Sequence, residues 1–192
     1  MIGNKINEIL FDTVTFAASA VAASTPYKLF KTLADGSTKF DSDTNQTKQG
    51  VCPYTWMRIK GIYAYCKTNS VTVLPTQADV HKILKNCTLT IKKKTVPVLE
   101  RPIIKLGPGG GIDGYSSNTN TGALGIALSG MPLVTNMYVV GLSENDGITK
   151  EGLEFVKDEL LDVTLTAEKT FTPAAETKLE IGFFCEIIDD LG

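Results

Sequence analysis

The chain has 192 residues, enough for one domain with a sizeable core, and nothing in this length requires a second domain. Its hydrophobic content of 43% is typical of globular proteins and excludes an intrinsically disordered chain. With 19 basic and 21 acidic residues, the formal net charge is -2. The chain therefore lacks the positive field that attracts phosphate backbones, and no specific nucleic-acid binding is expected.

Alternation of apolar and polar residues predicts strands through the first half of the chain. Strands are predicted near the N-terminus and over residues 27–32, 55–66, 71–74 and 87–94. The first predicted strand has one apolar face made of Val14, Phe16, Ala18 and Ala20. The third has a face made of Met57, Ile59, Tyr63 and Tyr65.

Helical patterns are short. Thr76 is a candidate cap for a helix that ends near Lys85. Its apolar face would consist of Val80, Ile83 and Leu84. Thr149 is a candidate cap for a second helix that ends near Lys157. Two segments, residues 33–53 and 107–130, are rich in Gly, Ser, Thr, Asn and Asp, and we predict long loops there.

The second half of the chain contains the clearest strand patterns. Odd positions are apolar over residues 161–167 and again over 179–187, which predicts two long strands joined by a short connection that contains Pro173. Residues 133–142 are apolar on both faces, as expected of a strand that is covered on both sides, one of them by a neighbouring subunit. The residues of this candidate subunit interface are Leu133, Val134, Met137, Tyr138, Val139, Val140 and Leu142.

These elements predict an all-β fold, a two-sheet antiparallel sandwich of the single jelly-roll type with one or two short helices. The domain is expected to span residues 1–192 and to contain the two long loops. An immunoglobulin-like sandwich is the alternative within this class. The chain is about twice the ~100 residues usual for that fold, and it has no Cys-Trp-Cys spacing.

No motif predicts catalysis or a cofactor. Gly109, Gly111 and Gly114 form a G-x-G-x-x-G pattern, but turn-forming residues follow where a dinucleotide site needs a helix. His81 is the single histidine, and no nucleophile-elbow signature surrounds it. We therefore predict that the chain is not an enzyme, has no catalytic residue and binds no cofactor.

One loop partly matches a calcium-binding loop. Asp41, Asp43 and Asn45 reproduce the first three ligand positions, but Gln46 stands where a glycine is required and Cys52 where a bidentate glutamate belongs. The prediction is a solvated acidic loop and no metal site. Cation binding at this loop stays open.

The four cysteines, Cys52, Cys66, Cys87 and Cys185, form no C-x-x-C pair. We expect them to act as small buried hydrophobic residues. A bridge between Cys52 and Cys66, which flank one predicted strand, is left open.

The run Lys92, Lys93 and Lys94 lies on a predicted strand. Lysines on an edge strand discourage pairing with a strand of another molecule. We therefore predict that this run protects a sheet edge; contact with a membrane surface or a packaged genome is the alternative.

The order of several segments resembles jelly-roll capsid proteins of tailless, membrane-containing bacterial viruses. The resemblance is carried by Tyr-Lys-Leu-Phe-Lys-Thr at residues 27–32, Asp-Thr-Asn at 43–45 and Trp-Met-Arg-Ile-Lys-Gly-Ile at 56–62. It continues with glycines over 107–114, Gly-Met-Pro-Leu at 130–133, Glu-Phe-Val at 154–156 and Leu-Glu-Ile-Gly-Phe-Phe at 179–184. It extends over most of the chain through spaced residues.

The resemblance implies a virion structural protein, a capsid subunit that self-assembles into symmetric capsomers. Its expected location is the virion, which is assembled in the host cytoplasm. Its implied partners are copies of itself, other capsid proteins and, as in many relatives, an internal viral membrane. Major capsid proteins of this group often carry two jelly rolls, whereas this chain has room for one. A major role and a vertex or minor role therefore both stay open.

A carbohydrate- or receptor-binding β-sandwich module is the alternative function. Its candidate contact residues are the aromatic side chains Tyr54, Trp56, Tyr63 and Tyr115. Three of them cluster around one predicted strand, where core or interface packing is the simpler explanation.

Overall fold

The computed structural model describes residues 5–36, 39–67, 77–106, 116–117, 124–125, 138–139 and 152–188. Eleven strands, one α-helix and one short 3-10 helix (Ile103–Lys105) occur in these ranges. The strands are β1 (Ile6–Phe16), β2 (Pro26–Leu29), β3 (Trp56–Lys67), β4 (Cys87–Lys93), β5 (Val96–Pro102), β6 (Ser116–Ser117), β7 (Leu124–Gly125), β8 (Tyr138–Val139), β9 (Leu153–Val156), β10 (Asp162–Ala167) and β11 (Thr177–Ile188), and the helix is α1 (Gln77–Asn86).

Two antiparallel sheets form the sandwich. The first has the order β1-β11-β3, and both β8 and β9 pair with the free side of β3. The second has the order β2-β10-β4-β5. Strands β6 and β7 pair with each other in a separate two-stranded antiparallel sheet. The all-β, two-sheet prediction is confirmed.

The order of the strands is that of a jelly roll. Strands β1 and β3 lie in the first sheet while β2 and β4 lie in the second, so the chain crosses between the sheets at each step. The late strands return in reverse: β10 inserts between β2 and β4, and β11 inserts between β1 and β3. Two interlocked Greek keys of this kind define the jelly roll.

The core lies between the two sheets. Alternate residues of β10 and β11 point into it, including Val163, Leu165, Ile181 and Phe183, each with no exposed surface. Helix α1 covers one end with its predicted apolar face, which is buried: Val80, Ile83 and Leu84. The period-two prediction for 161–167 and 179–187 is thus confirmed, because each of these strands has one face on the core.

The predicted face of β3 is partly wrong. Lys60 is an extra residue in the ladder, since Ile59 pairs with Cys185 while Gly61 pairs with Phe184. Such a bulge shifts the side-chain alternation by one position. Met57 and Ile59 therefore face the core as predicted, but Ile62 continues that face and Tyr63 lies outside the core cluster.

The helix predicted from Thr149 to Lys157 is also wrong. Residues 153–156 form β9, with Leu153 and Phe155 in the core. Gly152, directly before it, has φ +133, a conformation outside the helical region. Pairing with β3 and burial of alternate side chains decide the structure here against the local helical pattern.

Other boundaries differ in smaller ways. Ala18 and Ala20 lie beyond the end of β1, and β2 ends at Leu29, because Phe30 turns away with φ 58. Strand β5 contains two prolines, and the sequence pattern does not predict it. The predicted strand at 71–74 and most of the 107–130 loop lie outside the described residues.

Candidate interaction surface

The outer face of the first sheet has a cluster of one aromatic and several charged side chains. Trp56 pairs with Val156 in the β3–β9 ladder, and Arg58 pairs with Glu154. On the other side of β3, Arg58 pairs with Glu186 of β11. These residues alternate with core residues along their strands, so they share the face opposite the core.

Opposite charges alternate across this cluster. The Arg58 guanidinium lies 2.6 Å from a Glu154 carboxylate oxygen and 3.4 Å from one of Glu186. Lys60 and Lys5 approach Glu186 at 3.4 and 3.6 Å. Desolvation opposes ionisation of Glu186, but the nearby charges of Lys60, Lys5 and Arg58 outweigh it and lower its pKa. The carboxylate is therefore held in its charged form.

Trp56 is enclosed by two of these cations. The Lys5 ammonium lies 4.9 Å and the Arg58 guanidinium 4.8 Å from the centre of its ring. Such cation–π contacts stabilise by about 0.5–1 kcal/mol at exposed sites. The ring is half-buried and already in contact with charged groups, which is unlike the open aromatic platform that a sugar ring stacks on.

A second group of polar side chains on the same face is buried. The Lys178 ammonium lies 2.9 Å from both carboxylate oxygens of Asp43. The Tyr63 hydroxyl donates a 2.9 Å hydrogen bond to Glu180. The Tyr63 ring lies over Gly182, where a Cβ atom would overlap it. The ion pair attaches residues 39–46 to the first sheet, and the hydrogen bond holds the Tyr63 ring of β3 against β11.

Two of the three residues that match the calcium-loop positions have partners within the chain. Asp43 is paired with Lys178, and the Asn45 side chain is bonded to the main chain of β1. Asp43 is 3% exposed, so the prediction of a solvated acidic loop is wrong for this residue. Within the described ranges, no group of three His, Cys, Asp or Glu side chains is arranged to hold a metal ion.

The lysine run does not lie on an edge. Strand β4 is interior, with β10 on one side and β5 on the other, so the predicted role of Lys92, Lys93 and Lys94 on their own strand is wrong. Lys93 instead reaches the other sheet, where its ammonium donates to the Glu154 carbonyl of β9 at 2.6 Å. Lys94 occupies the turn that follows β4.

All four cysteines are buried and unpaired, as expected of small hydrophobic residues. The thiol of Cys66 lies close enough to that of Cys87 in the second sheet to interact with it electrostatically, and the same holds for Cys52 and Cys185. All four thiols are free. The Cys52–Cys66 bridge left open by the sequence is therefore not formed. Burial raises the pKa of Cys52 to about 11 and that of Cys87 to about 12.

The sequence-predicted interface lies almost entirely outside the described residues. Of the seven side chains none is described, and only the backbone of Tyr138 and Val139 is placed, as β8 beside β3. His81 is exposed on α1. The candidate sugar-binding aromatic residues do not form one surface: Tyr54 packs against the core, while Tyr63 and Trp56 lie on the outer face, and Tyr115 lies outside the described residues.

The Trp56 and Arg58 cluster was missed by sequence reasoning because its members are far apart in the chain. Only the pattern Trp-x-Arg on a strand signalled it, and that pattern says nothing about Glu154 or Glu186. No described helix is long and apolar enough to cross a membrane.

Comparisons with known proteins reveal a distant structural similarity. No protein-family model and no curated protein matches the sequence. The solved structure "Cyanophage Pam1 capsid asymmetric unit" is similar along 97% of this chain and 88% of its own, with a TM-score of 0.36 and 9% sequence identity. A match at this distance carries no argument about function.

Proposed function

We propose that this chain is a virion structural protein, a capsid subunit that associates with copies of itself and with other capsid proteins. The observation that carries the proposal is the jelly-roll order, β1-β11-β3-β8/β9 facing β2-β10-β4-β5. This architecture is shared by viral capsid and lectin domains. In this proposal the subunit is either the major capsid protein or a vertex or minor component of the shell. It has no enzymatic activity, and it is located in the virion after assembly in the host cytoplasm.

The outer face of the first sheet favours a protein contact over a sugar contact. Tryptophan and arginine are the residues that most often dominate the binding energy of protein interfaces, and here Trp56 and Arg58 are adjacent. Alternating charges around them, from Lys5, Lys60 and Glu186, would fix the register of a partner. The exposed apolar residue Val156 lies beside Trp56 in the same ladder.

The small net charge fits tiling by many copies. A chain with a formal charge of -2 accumulates little repulsion when it packs against itself. In a virion with an internal membrane, the membrane would be a further partner of the assembled shell.

The proposal is tested by the size of the purified protein, measured by light scattering after size exclusion and by electron microscopy of stained particles. Large symmetric assemblies are expected. The variant Arg58→Ala should shift the distribution toward small species, because it removes an arginine of the proposed contact face and the cation that lies over the Trp56 ring there. The control Glu100→Ala removes an exposed charge from β5 of the second sheet and should leave assembly unchanged.

A monodisperse monomer that binds glycans on an array would refute the capsid proposal and support the carbohydrate-binding alternative. Circular dichroism melting of both variants separates loss of assembly from loss of the fold. If Arg58→Ala and Glu100→Ala assemble equally well, the outer face of β3 is not a contact surface.

A further inference from the structure

The outward-pointing main-chain groups in the middle of edge strand β1 are hydrogen-bonded to other parts of the same chain. In an antiparallel ladder, alternate residues point their main-chain groups away from the paired strand, and Ile9, Phe11 and Thr13 do so on β1. The Asn45 side chain accepts from the Phe11 amide at 2.8 Å and donates to the Ile9 carbonyl at 2.5 Å. The Phe11 carbonyl accepts from the main-chain amide of Asn45 at 3.3 Å and from the Thr44 hydroxyl at 3.2 Å.

The neighbouring main-chain amides are also bonded by side chains. Glu8 accepts from the Ile9 amide at 3.2 Å, and Asp12 accepts from the Thr13 amide at 2.9 Å. Every outward-pointing group from the Ile9 amide to the Thr13 amide thus has a partner within its own chain. A side-chain amide has the same donor and acceptor groups as a peptide unit, so Asn45 takes the place of one residue of an added strand.

The segment that carries Asn45, residues 39–46, is called the strap. Buried ion pairs attach it at two points, Lys39 with Asp12 and Asp43 with Lys178. Asp12 faces the core side of β1 and also accepts from the Phe30 amide at 2.5 Å. These two attachments, together with the Thr44 hydroxyl, hold Asn45 against β1 because they anchor the strap to the first sheet.

We propose that Asn45 blocks strand addition at β1: its side-chain amide occupies the positions at which an extended segment of another copy would otherwise pair. The proposal holds whether or not the chain is a capsid subunit. Unpaired strand edges are templates for edge-to-edge association. Strand β1, with 11 residues, is the longest edge strand in the described part of the chain.

Three other described edge strands, β2, β5 and β9, are closed by different means. Strand β2 begins with Pro26, and β5 contains Pro97 and Pro102, residues that lack an amide donor. On β9, the Glu154 carbonyl accepts from Lys93 and the Val156 amide donates to the Glu159 carboxylate at 3.1 Å. Strand β1 contains no proline, so its protection depends on the strap.

The test uses the full chain with Asn45→Ala and a fluorescent synthetic peptide with the sequence of β1 (Ile6–Phe16), extended by two lysines for solubility. Amide exchange at Phe11 should become about tenfold faster in the variant, the factor that corresponds to losing one hydrogen bond. The peptide should bind the variant at least about tenfold more tightly than it binds the unmodified chain. Both readouts are independent of whether the chain forms particles.

Three further variants keep the result interpretable. Thr47→Ala changes an exposed residue just beyond the strap and should alter neither readout. Asn45→Asp keeps the acceptor for the Phe11 amide and loses the donor to the Ile9 carbonyl, so intermediate exchange and binding are expected even if the alanine variant folds poorly. Adding Asn7→Lys to Asn45→Ala places a charge on the opened edge and should restore exclusion of the peptide.

Unchanged exchange at Phe11 in both Asn45 variants would overturn the proposal, because the side chain would then not protect the edge. Faster exchange without peptide binding would overturn it as well, since the opened edge would accept no strand. Peptide binding that survives Asn7→Lys at full strength would also count against it, because the peptide would then bind elsewhere on the molecule.

Discussion

Replacing Asp43 with alanine should destabilise the fold through the charge that it leaves behind. Asp43 is 3% exposed, and Lys178 is 6% exposed on β11. With the carboxylate gone, the ammonium of Lys178 loses two partners at 2.9 Å and has little access to water. Removing one member of a buried ion pair typically costs about 3–5 kcal/mol.

The pair itself contributes much less than that cost. Two desolvated charges roughly offset their desolvation by attracting each other, so the double variant Asp43→Ala with Lys178→Met should lose only about 0–2 kcal/mol. Asp43→Asn is the control that keeps the shape of the side chain. Its free energy of unfolding should be close to that of Asp43→Ala, because it also leaves the positive charge of Lys178 without its carboxylate partner.

Urea unfolding followed by circular dichroism measures these differences, at a protein concentration where all variants have the same oligomeric state. A double variant as unstable as Asp43→Ala would contradict a buried-charge origin of the loss, because the loss would then come from the strap's packing. A loss below about 1 kcal/mol for Asp43→Ala would contradict it too, because that is the range expected for a solvated pair.

Three other outcomes are expected. Gly182→Ala should lower the free energy of unfolding by about 1–3 kcal/mol, because the added methyl group would overlap the Tyr63 ring. Adding Tyr63→Ala to this variant should recover part of the loss, as measured by a urea titration. Stability should fall between about pH 9 and 11, since the Cys52 thiol ionises with its ordinary pKa of 9.0 in the unfolded chain whereas burial raises the folded pKa to about 11. Burial raises the pKa of the other three thiols as well, so Cys52→Ala should reduce this dependence by up to ~1.4 kcal/mol per pH unit in urea titrations across that window. Phe183→Ala should lower stability by about 3–5 kcal/mol, measured by the same titration, because the ring is fully buried and stacks on Phe30 at 5.1 Å; a loss below about 1 kcal/mol would contradict this packing.

The edge-protecting role predicted for Lys92, Lys93 and Lys94 was wrong because the sequence does not show where a strand lies in its sheet. A basic run on a strand suggests an exposed edge, but which strand is at the edge depends on the order of strands in the sheet. That order is set by crossovers between distant segments. Lys93 does donate a hydrogen bond to an edge strand, β9, but that strand comes next to it only after the two sheets have packed.

The sequence by itself determined the strands in which apolar and polar residues alternate over a long run, β10 and β11 above all. Alternation marked β10 and β11 because successive side chains point to the core and away from it in turn, and this is a local property. The same holds for α1, whose apolar spacing predicted the face that is buried.

Only the tertiary structure decided what depends on distant neighbours. The bulge at Lys60, the strand at 153–156 and the contacts of Asp43, Asn45 and Trp56 join segments that are far apart in the chain, as the Asn45–Phe11 separation of 34 residues illustrates. Local patterns carry no information on such pairings, because the free energy that selects them arises when the two sheets close over one another.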